Sequence, residues 1–420
     1  MEIIDISKNE FNLLSLSHEL TNFYQTAEYG ELMSKFGFDT HYIRFINNGI
    51  TVGVSLILSK TIYFGFKYGY APRGILFNYN DTSEVLKMTK ALKSYLLKHG
   101  FMIIKIDPLI IRCVKDKNGN IIKYNTSIDS IMDNLKKADF IHCGFNQYME
   151  SVKPRWHAIL NIKGKTQKQL FFELNKNIRN KLRKASKFGI EIYKDKNNDI
   201  EQIYSFVKDK GNYSTKYYNE FLNSFKENFE IYLSRINTET YVSTSSSLYE
   251  KEQQNNDYIN SLIQSGKLKG KNIRKILNQK MESDKLLNTY KKHLIRATNL
   301  LKNYPNGLVI GGEIIIKHGK KIYLLIDGYS EEYKDLCPSH IAKWKVIEKY
   351  AETEIEEFDL NAISGDFSKD NIFKGLNTLK LGYNSEAVEY IGEFNLIINK
   401  IMYSLYRSTS QKYNIKNQKK

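Results

Sequence analysis

The sequence predicts a mixed α/β protein built as two successive units, with an antiparallel helical arm inserted into the second. Three observations carry that prediction. Short apolar strand patterns alternate with helical patterns up to about Ile141, and again from Trp156 onward. The two stretches follow a similar order of strands, helices and hairpins, although no clear internal sequence identity links them. Between Thr238 and Asn303 the chain is polar, free of proline and helical in period.

In chain order, "HYIRFINNGITVGVSLILSKTI" reads as a β-hairpin turning at Asn47-Asn48-Gly49. "TSEVLKMTKALKSYLLKHG" reads as a helix capped by Thr82 or Ser83 and stopped by Gly100. "FMIIKIDPLII" is a buried strand broken at Asp107-Pro108. In the second unit, "WHAILNI" is a strand and "TQKQLFFELNKNIRNKLRKASKFG" one helix from Thr166 to Gly189. "IEIYK" and "DIEQIYSFVKDKG" give a further strand and helix, "GLVIGGEIIIKHGKKIYLLIDGYS" a second hairpin. "PSHIAKWKVIEKYAET" is a helix and "EIEEFDL" a strand. The interruption reads as two helices of about 28 residues, about 40 Å long at 1.5 Å per residue. They fold back at "QSGKLKGKN", with Leu248, Tyr258, Leu262, Ile273, Ile276, Leu277, Leu287, Leu294 and Leu301 at heptad-like positions. The resulting division is residues 1–150 for the first unit, 151–237 and 304–390 for the second, and 238–303 for the arm. Residues 391–420 are a candidate to pack back on the first unit.

The 420 residues suffice for two or three cores. Lysine and arginine number 63 against 46 acids, a formal charge of +17, which favours a polyanionic partner. Part of the lysine excess matches a Lys-, Asn-, Ile- and Tyr-rich composition of the kind an AT-rich genome produces. No apolar run of about 18 residues suggests a membrane span, and Met1-Glu2-Ile3-Ile4-Asp5 does not open a secretory signal. Three widely spaced cysteines, Cys113, Cys143 and Cys337, form neither a disulfide framework nor a metal pair, as expected of a reducing cytosol. The eight histidines show no ligand spacing, so neither metal nor cofactor is expected.

The densest positive segment is "NKNIRNKLRKASKFGI", with six basic residues and no acid. Ile178 and Leu182 are spaced to hold one face against a sheet. Arg179, Arg183, Lys184 and Lys187 then form a cationic ridge suited to a phosphodiester backbone, or a solvated helix face.

Several segments occur in a telling order: "FYQTAEYGELMSKFGF", "YAPRGILFN", "IKIDPLI", "KPRWHAILNI", "NIRNKLRKASKFGI", the arm, "FDLNAISGDF" and "GLNTLKLGYNSEAVEYIGEF". Over nearly the whole chain this set resembles the FemABX family of aminoacyltransferases, which build peptidoglycan cross-bridges. The resemblance implies two GNAT-like (acyl-CoA N-acyltransferase-like) domains with a coiled-coil arm in the second. It implies aminoacyl-tRNA as donor. It implies as acceptor the side-chain amine of the stem peptide on lipid II or UDP-MurNAc-pentapeptide. The expected location is cytoplasmic, or peripheral at the inner membrane face. Three positions depart from the family pattern: Ile75 stands for a common proline, Leu379 for an aromatic, and Lys216 in "STKYYNEFL" for an arginine.

Aminoacyl transfer to an amine needs a neutral nucleophile, although a free lysine amine has a pKa of about 10.4. It also needs help for the developing oxyanion and alignment of two anionic substrates. The resemblance implies Lys380 as a fixed cation near the ester and the terminal tRNA phosphate, and Lys35 as a contact for the precursor's phosphates. Arg73, in a Pro-Arg-Gly turn, suits phosphate or carboxylate recognition, and Tyr70 is a candidate to stack on a base or sugar. Asp107, at a strand end before proline, is a candidate to hold the acceptor ammonium and take its proton. Arg155 and Lys216 complete the candidate precursor contacts; Arg179, Arg183, Lys184 and Lys187 are the candidate tRNA contacts. His157 and His340 read as structural histidines. Two other readings stay open: an acetyl-CoA-dependent N-acetyltransferase, whose pyrophosphate loop is not evident, and a non-catalytic RNA-binding or scaffold protein of the same fold.

Overall fold

A computed structural model describes residues 1–210, 213–265 and 271–417. Two sheets organise the chain. The first runs, in spatial order, Glu2–Asp5, Asp39–Asn47, Ile50–Tyr63, Phe66–Ala71, Phe101–Ile106, Phe394–Ile397 and Phe140–His142, with Leu76–Phe77 paired to Ile50–Tyr63. The second runs Ile190–Lys194, Phe229–Ile236, Leu308–His318, Lys321–Tyr329, Glu357–Ala362, Trp156–Asn161, Glu386–Tyr390, Ile111–Lys115 and Ile121–Tyr124.

Local chemistry explains the elements that the sequence made legible. The Asn47-Asn48-Gly49 hairpin forms with Asn48 and Gly49 both at positive φ, 49° and 79°, as a two-residue primed turn requires. The strand Phe101–Ile106 stops where Asp107-Pro108 removes the next amide donor. Helix Thr82–Lys98 is capped one residue earlier than expected, by the Asp81 carboxylate accepting the Glu84 N–H at 2.9 Å.

Three expectations are corrected. The single helix from Thr166 to Gly189 is two helices, Gln167–Glu173 and Lys176–Lys187. The Asn175 side chain accepts the Ile178 N–H at 2.9 Å and starts a new helix after an extended Leu174. Residues 111–124, assigned to the first unit, form a hairpin hydrogen-bonded to Glu386–Tyr390 in the second sheet. The strand Phe394–Ile397, in the segment 391–420 named as a candidate to pack back on the first unit, lies between Phe101–Ile106 and Phe140–His142 of the first sheet.

The third correction concerns the arm, formed by helices Thr238–Gln264 and Lys271–Asn303. Its proposed break at "QSGKLKGKN" falls largely on residues outside those described. Of the expected apolar positions, Leu248, Leu262, Ile276, Leu287, Leu294 and Leu301 are half-buried along the seam, whereas Tyr258, Ile273 and Leu277 are exposed. The fully buried positions include Tyr241, Ser245, Asn256, Ile259, Ser283, His293, Ala297 and Leu300, several of them polar. The polar members pair across the seam, Asn256 donating to Ser283 at 3.1 Å and to Asp284 at 2.8 Å. At its base, Tyr241 lies 2.8 Å from His293, and Arg296 pairs with Asp335 at 2.8 Å.

Where the units meet, apolar residues from both form one core. Phe11, Phe23, Tyr29, Leu32 and Leu56 pack with Ile200, Ile203, Phe221, Phe225, Ile231 and Ile314. This welded junction sets the position of the cleft described next.

Candidate functional site

A cleft of about 430 Å³ opens at the junction. Tyr24 of the first unit faces Tyr213, Tyr217 and Tyr218 of the second, with Lys153 and Pro154 of the connecting segment between them. Val152 and Lys210 also line it, with Leu324–Asp327 of one strand, Asn361 and Ala362 at the end of the next, and Leu376 and Lys380 of helix Lys374–Leu381. A larger cavity of about 610 Å³ lies at the far edge of the first sheet, lined by Met132, Phe140 and Ile397 among others. None of the sequence-derived candidates lines it.

Lys380 is only 5 % exposed, and its Nζ donates to the Ala362 carbonyl at 2.8 Å. An ammonium has three donors, so that bond leaves others for a ligand. Burial pulls its pKa down to about 8, opposed by the negative field of Asp327. Asp327 sits above a buried network: Lys343 lies 2.8 Å from its Oδ2, Ser339 donates to the same oxygen at 2.9 Å, and Glu313 lies 3.4 Å from Lys343. Burial alone would raise the Asp327 carboxyl, but Lys343 overrides it and holds the group well below the usual carboxylate range. Glu313, whose Oε1 has no partner, is pushed up by burial to about 7.

Arg73 and Asp107 stand behind this cleft rather than in it. Asp107 is 1 % exposed and Arg73 2 %. The Asp107 carboxylate accepts the Arg73 N–H at 2.6 Å and the Tyr70 hydroxyl at 3.0 Å, and lies 3.5 Å from the guanidinium. Burial raises its pKa to about 6, with Arg73 working against the rise. The guanidinium also donates to the Pro154 carbonyl at 2.6 Å and to His157 Nε2 at 3.0 Å. Since arginine only donates, that ring nitrogen accepts and the His157 proton lies on Nδ1, facing Asp359 at 2.8 Å. The Pro-Arg-Gly turn, with Arg73 at φ 52°, is thus fixed by an Asp107–Arg73–His157–Asp359 chain. Asp107 accepts from Tyr70 and from the Arg73 amide, and one terminal nitrogen of Arg73 is engaged, while Arg73 Nε is buried without a hydrogen-bond partner among the described residues. His157 and His340 are structural, the latter 3.1 Å from Lys181.

Arg155 is likewise committed. It is 2 % exposed and lies 2.5 Å from Glu389, which also receives Arg112 at 2.9 Å. The cation of "KPRWH" that faces the cleft is Lys153, which sequence reasoning passed over. Its Nζ lies 4.1 Å from the Tyr24 ring centre, and burial beside Arg73 lowers its pKa to about 8.

Lys35 and Lys216 are exposed and flank a shared feature: the rings of Phe36 and Tyr217 lie 5.5 Å apart where helix Ala27–Ser34 meets helix Thr215–Phe225. In the second unit, Ile178, Leu182 and Ala185 bury one face of helix Lys176–Lys187. Arg183 and Lys187 are exposed and Arg179 and Lys184 half-buried. This helix joins the Lys380 helix directly, since the Asn175 N–H donates to the Gly382 carbonyl at 3.0 Å. At its other end Thr244 of the arm donates to the Lys187 carbonyl at 2.9 Å, and Phe188 stacks on His293 at 4.7 Å.

A model of the FemAB family matches residues 6–411. Aminoacyltransferase FemA of Staphylococcus epidermidis is 26 % identical over 419 residues, covering 97 % of this chain and 99 % of the relative. The protein of the same name from Staphylococcus aureus is 24 % identical over 414 residues, covering 97 % of each. A crystal structure of FemX superposes with a TM-score of 0.71 at 20 % identity, covering 96 % of this chain and 99 % of that one, a likeness of fold.

Proposed function

From the premise that the chain belongs to the FemAB family and is an aminoacyltransferase, we propose that it transfers an amino acid from aminoacyl-tRNA to the side-chain amine of a peptidoglycan-precursor stem peptide. Family membership favours this over the acetyl-CoA-dependent and the non-catalytic readings. The observation that carries the tRNA-dependent reading is the direct junction of the basic helix Lys176–Lys187 with the helix bearing Lys380. A polyanion along Arg179, Arg183, Lys184 and Lys187 would have its terminus close to the cleft. No helix among the described residues is long and apolar enough to cross a membrane, so a lipid-linked acceptor would be met at the membrane surface.

In this reading the acceptor amine attacks the ester carbonyl carbon, the new C–N bond forms and the bond to the ribose oxygen breaks. The proton given up by the amine ends on the ribose hydroxyl. Lys380 supplies a fixed ammonium where negative charge develops on the carbonyl oxygen. Its link to Ala362 orients it in advance. Lys35 and Lys216 would hold the precursor's phosphates beside the Phe36–Tyr217 pair. Tyr70, Asp107, Arg73 and Arg155 serve as positioning residues that keep the connecting segment, and with it Lys153, against the cleft.

The test is transfer of radiolabelled amino acid from total charged tRNA onto lipid II and onto UDP-MurNAc-pentapeptide, with Lys380→Ala as control. Label in a precursor, lost in the variant, supports the reading and names the acceptor. Transfer to neither substrate overturns it.

A further inference from the structure

Asp327 is the one acid among the described residues lining the cleft, and its geometry divides its two oxygens between distinct tasks. Oδ2 takes both available donors, Lys343 at 2.8 Å and Ser339 at 2.9 Å. Oδ1 has no donor among the described residues, and the side chain keeps 21 % exposure on the cleft side. Lys343, at 0 % exposure, already divides its charge between Asp327 and Glu313. Neither Lys380 nor Lys210, the nearest cations of the cleft wall, forms an ion pair with the carboxylate. A charged, half-engaged carboxylate facing a cavity with a tyrosine wall is a site for a small organic cation. Tyr213 and Tyr217, stacked with ring centres 4.2 Å apart, add π faces on which an ammonium is favoured.

We propose that Asp327 Oδ1 binds the α-ammonium of the donor's aminoacyl group, and so restricts the enzyme to α-amino esters. The inference rests on the donor reading given above. The stereochemistry of the donor supports it: the α-ammonium is separated from the ester carbonyl by one carbon, so a site beside Lys380 that receives the carbonyl oxygen must meet the ammonium nearby. Lys380 repels that ammonium, and Asp327 supplies the opposite charge required. The buried Lys343 and Ser339 hold the carboxylate ionised and fixed, so its free oxygen need not reorganise when the donor enters. Nothing in this arrangement reads the side chain, so the subsite selects for the amino group and leaves side-chain selection to the rest of the cleft.

The experiment compares two non-hydrolysable donor mimics, the alanyl and lactyl amides of 3′-amino-3′-deoxyadenosine, binding to the full-length protein by calorimetry. They differ only in ammonium against hydroxyl. A hydrogen bond to a charged partner is worth about 1.5–3 kcal/mol, so the wild type is expected to prefer the alanyl mimic by about 10- to 100-fold. Asp327→Asn should remove that preference while leaving lactyl binding within about threefold. Equal binding of both mimics by the wild type overturns the subsite and leaves the donor reading standing. A preference that survives Asp327→Asn assigns it to another group. Equal weakening of both ligands in the variant makes Asp327 a prop for Lys343 only. If the wild type binds neither mimic, the donor reading fails, and the subsite with it.

Discussion

The backbone N–H of Arg73 donates to Asp107 at 2.6 Å, and the guanidinium of the same residue lies 3.5 Å from the same carboxylate. One acid thus holds both the turn and the side chain of its partner. Both residues are shielded from solvent, so removing the acid strands a buried guanidinium, at a cost of about 3–5 kcal/mol. Asp107→Ala is expected to lower the urea midpoint accordingly, with loss of activity following loss of fold. A variant as stable as the wild type but inactive in transfer would instead place Asp107 among the groups that touch substrate.

Lys380 gives the reaction a pH signature. Its folded-state pKa is lowered to about 8, so the cation is present below that value and is lost as pH rises through it. The acceptor amine works in the opposite sense, becoming more nucleophilic as it deprotonates toward its ordinary value of about 10.4. Transfer should therefore rise with pH and then turn down near 8 in the wild type. Lys380→Arg, whose guanidinium stays charged throughout, should remove the downturn at a reduced rate. Lys380→Ala should cut kcat by about 10²–10³. For stability the sign is different: between about 8 and about 10.4 the unfolded chain binds the extra proton, so the native state gains as pH rises. A downturn persisting unchanged in Lys380→Arg would dissociate it from this residue.

The parts of the fold that were legible in the sequence have local causes. Asn48-Gly49 specifies a primed turn, Asp107-Pro108 ends a strand, and the spacing of Ile178, Leu182 and Ala185 buries one helix face. The parts that were not legible depend on partners distant in sequence. The hairpin Ile111–Tyr124 alternates like any other, and nothing local says that it joins the second sheet. The arm's seam is polar at Ser245, Asn256 and Ser283, so apolar periodicity missed these buried positions and included Tyr258, Ile273 and Leu277, which are exposed. Lys380, singled out by its motif, lines the cleft. Asp327, a lone acid in "LLIDGY", has meaning only once Lys343 and Ser339 are beside it. Lys153 and Arg155 are two residues apart and chemically alike, and only the partner Glu389 decides which one faces inward.

The basic helix carries a prediction that separates charge from fold. Arg183 and Lys187 are exposed, and their side chains form no ion pair among the described residues. Arg183→Glu with Lys187→Glu should leave the melting temperature within about 2 °C, consistent with surface substitutions near ±0.5 kcal/mol. Binding of uncharged tRNA should weaken, and the slope of log K against log salt should fall by about 1 for each phosphate that the helix no longer neutralises. An unchanged salt slope would leave the ridge as a solvated face.

Gly382 is where that helix meets the Lys380 helix. It lies in ordinary right-handed backbone at φ −66°, so a substitution there meets neighbours rather than backbone strain. A Cβ would approach the Ile178 side chain to 2.7 Å and the Thr378 carbonyl to 2.8 Å. Both are closer than carbon tolerates, and the carbonyl belongs to the helix itself. Gly382→Ala should therefore destabilise the protein by about 1–3 kcal/mol, the range for overpacking a filled core. Because the Gly382 carbonyl also accepts the Asn175 N–H, the shift should reach both helices. The expected kinetic result is a fall in kcat for transfer, with tRNA affinity changed less than in the charge-reversal variant. Pairing Gly382→Ala with Ile178→Val, which removes one methyl from the crowded side chain, should recover part of the stability and of kcat together. Recovery of stability without kcat would show that the junction is a packing feature with no hold on Lys380.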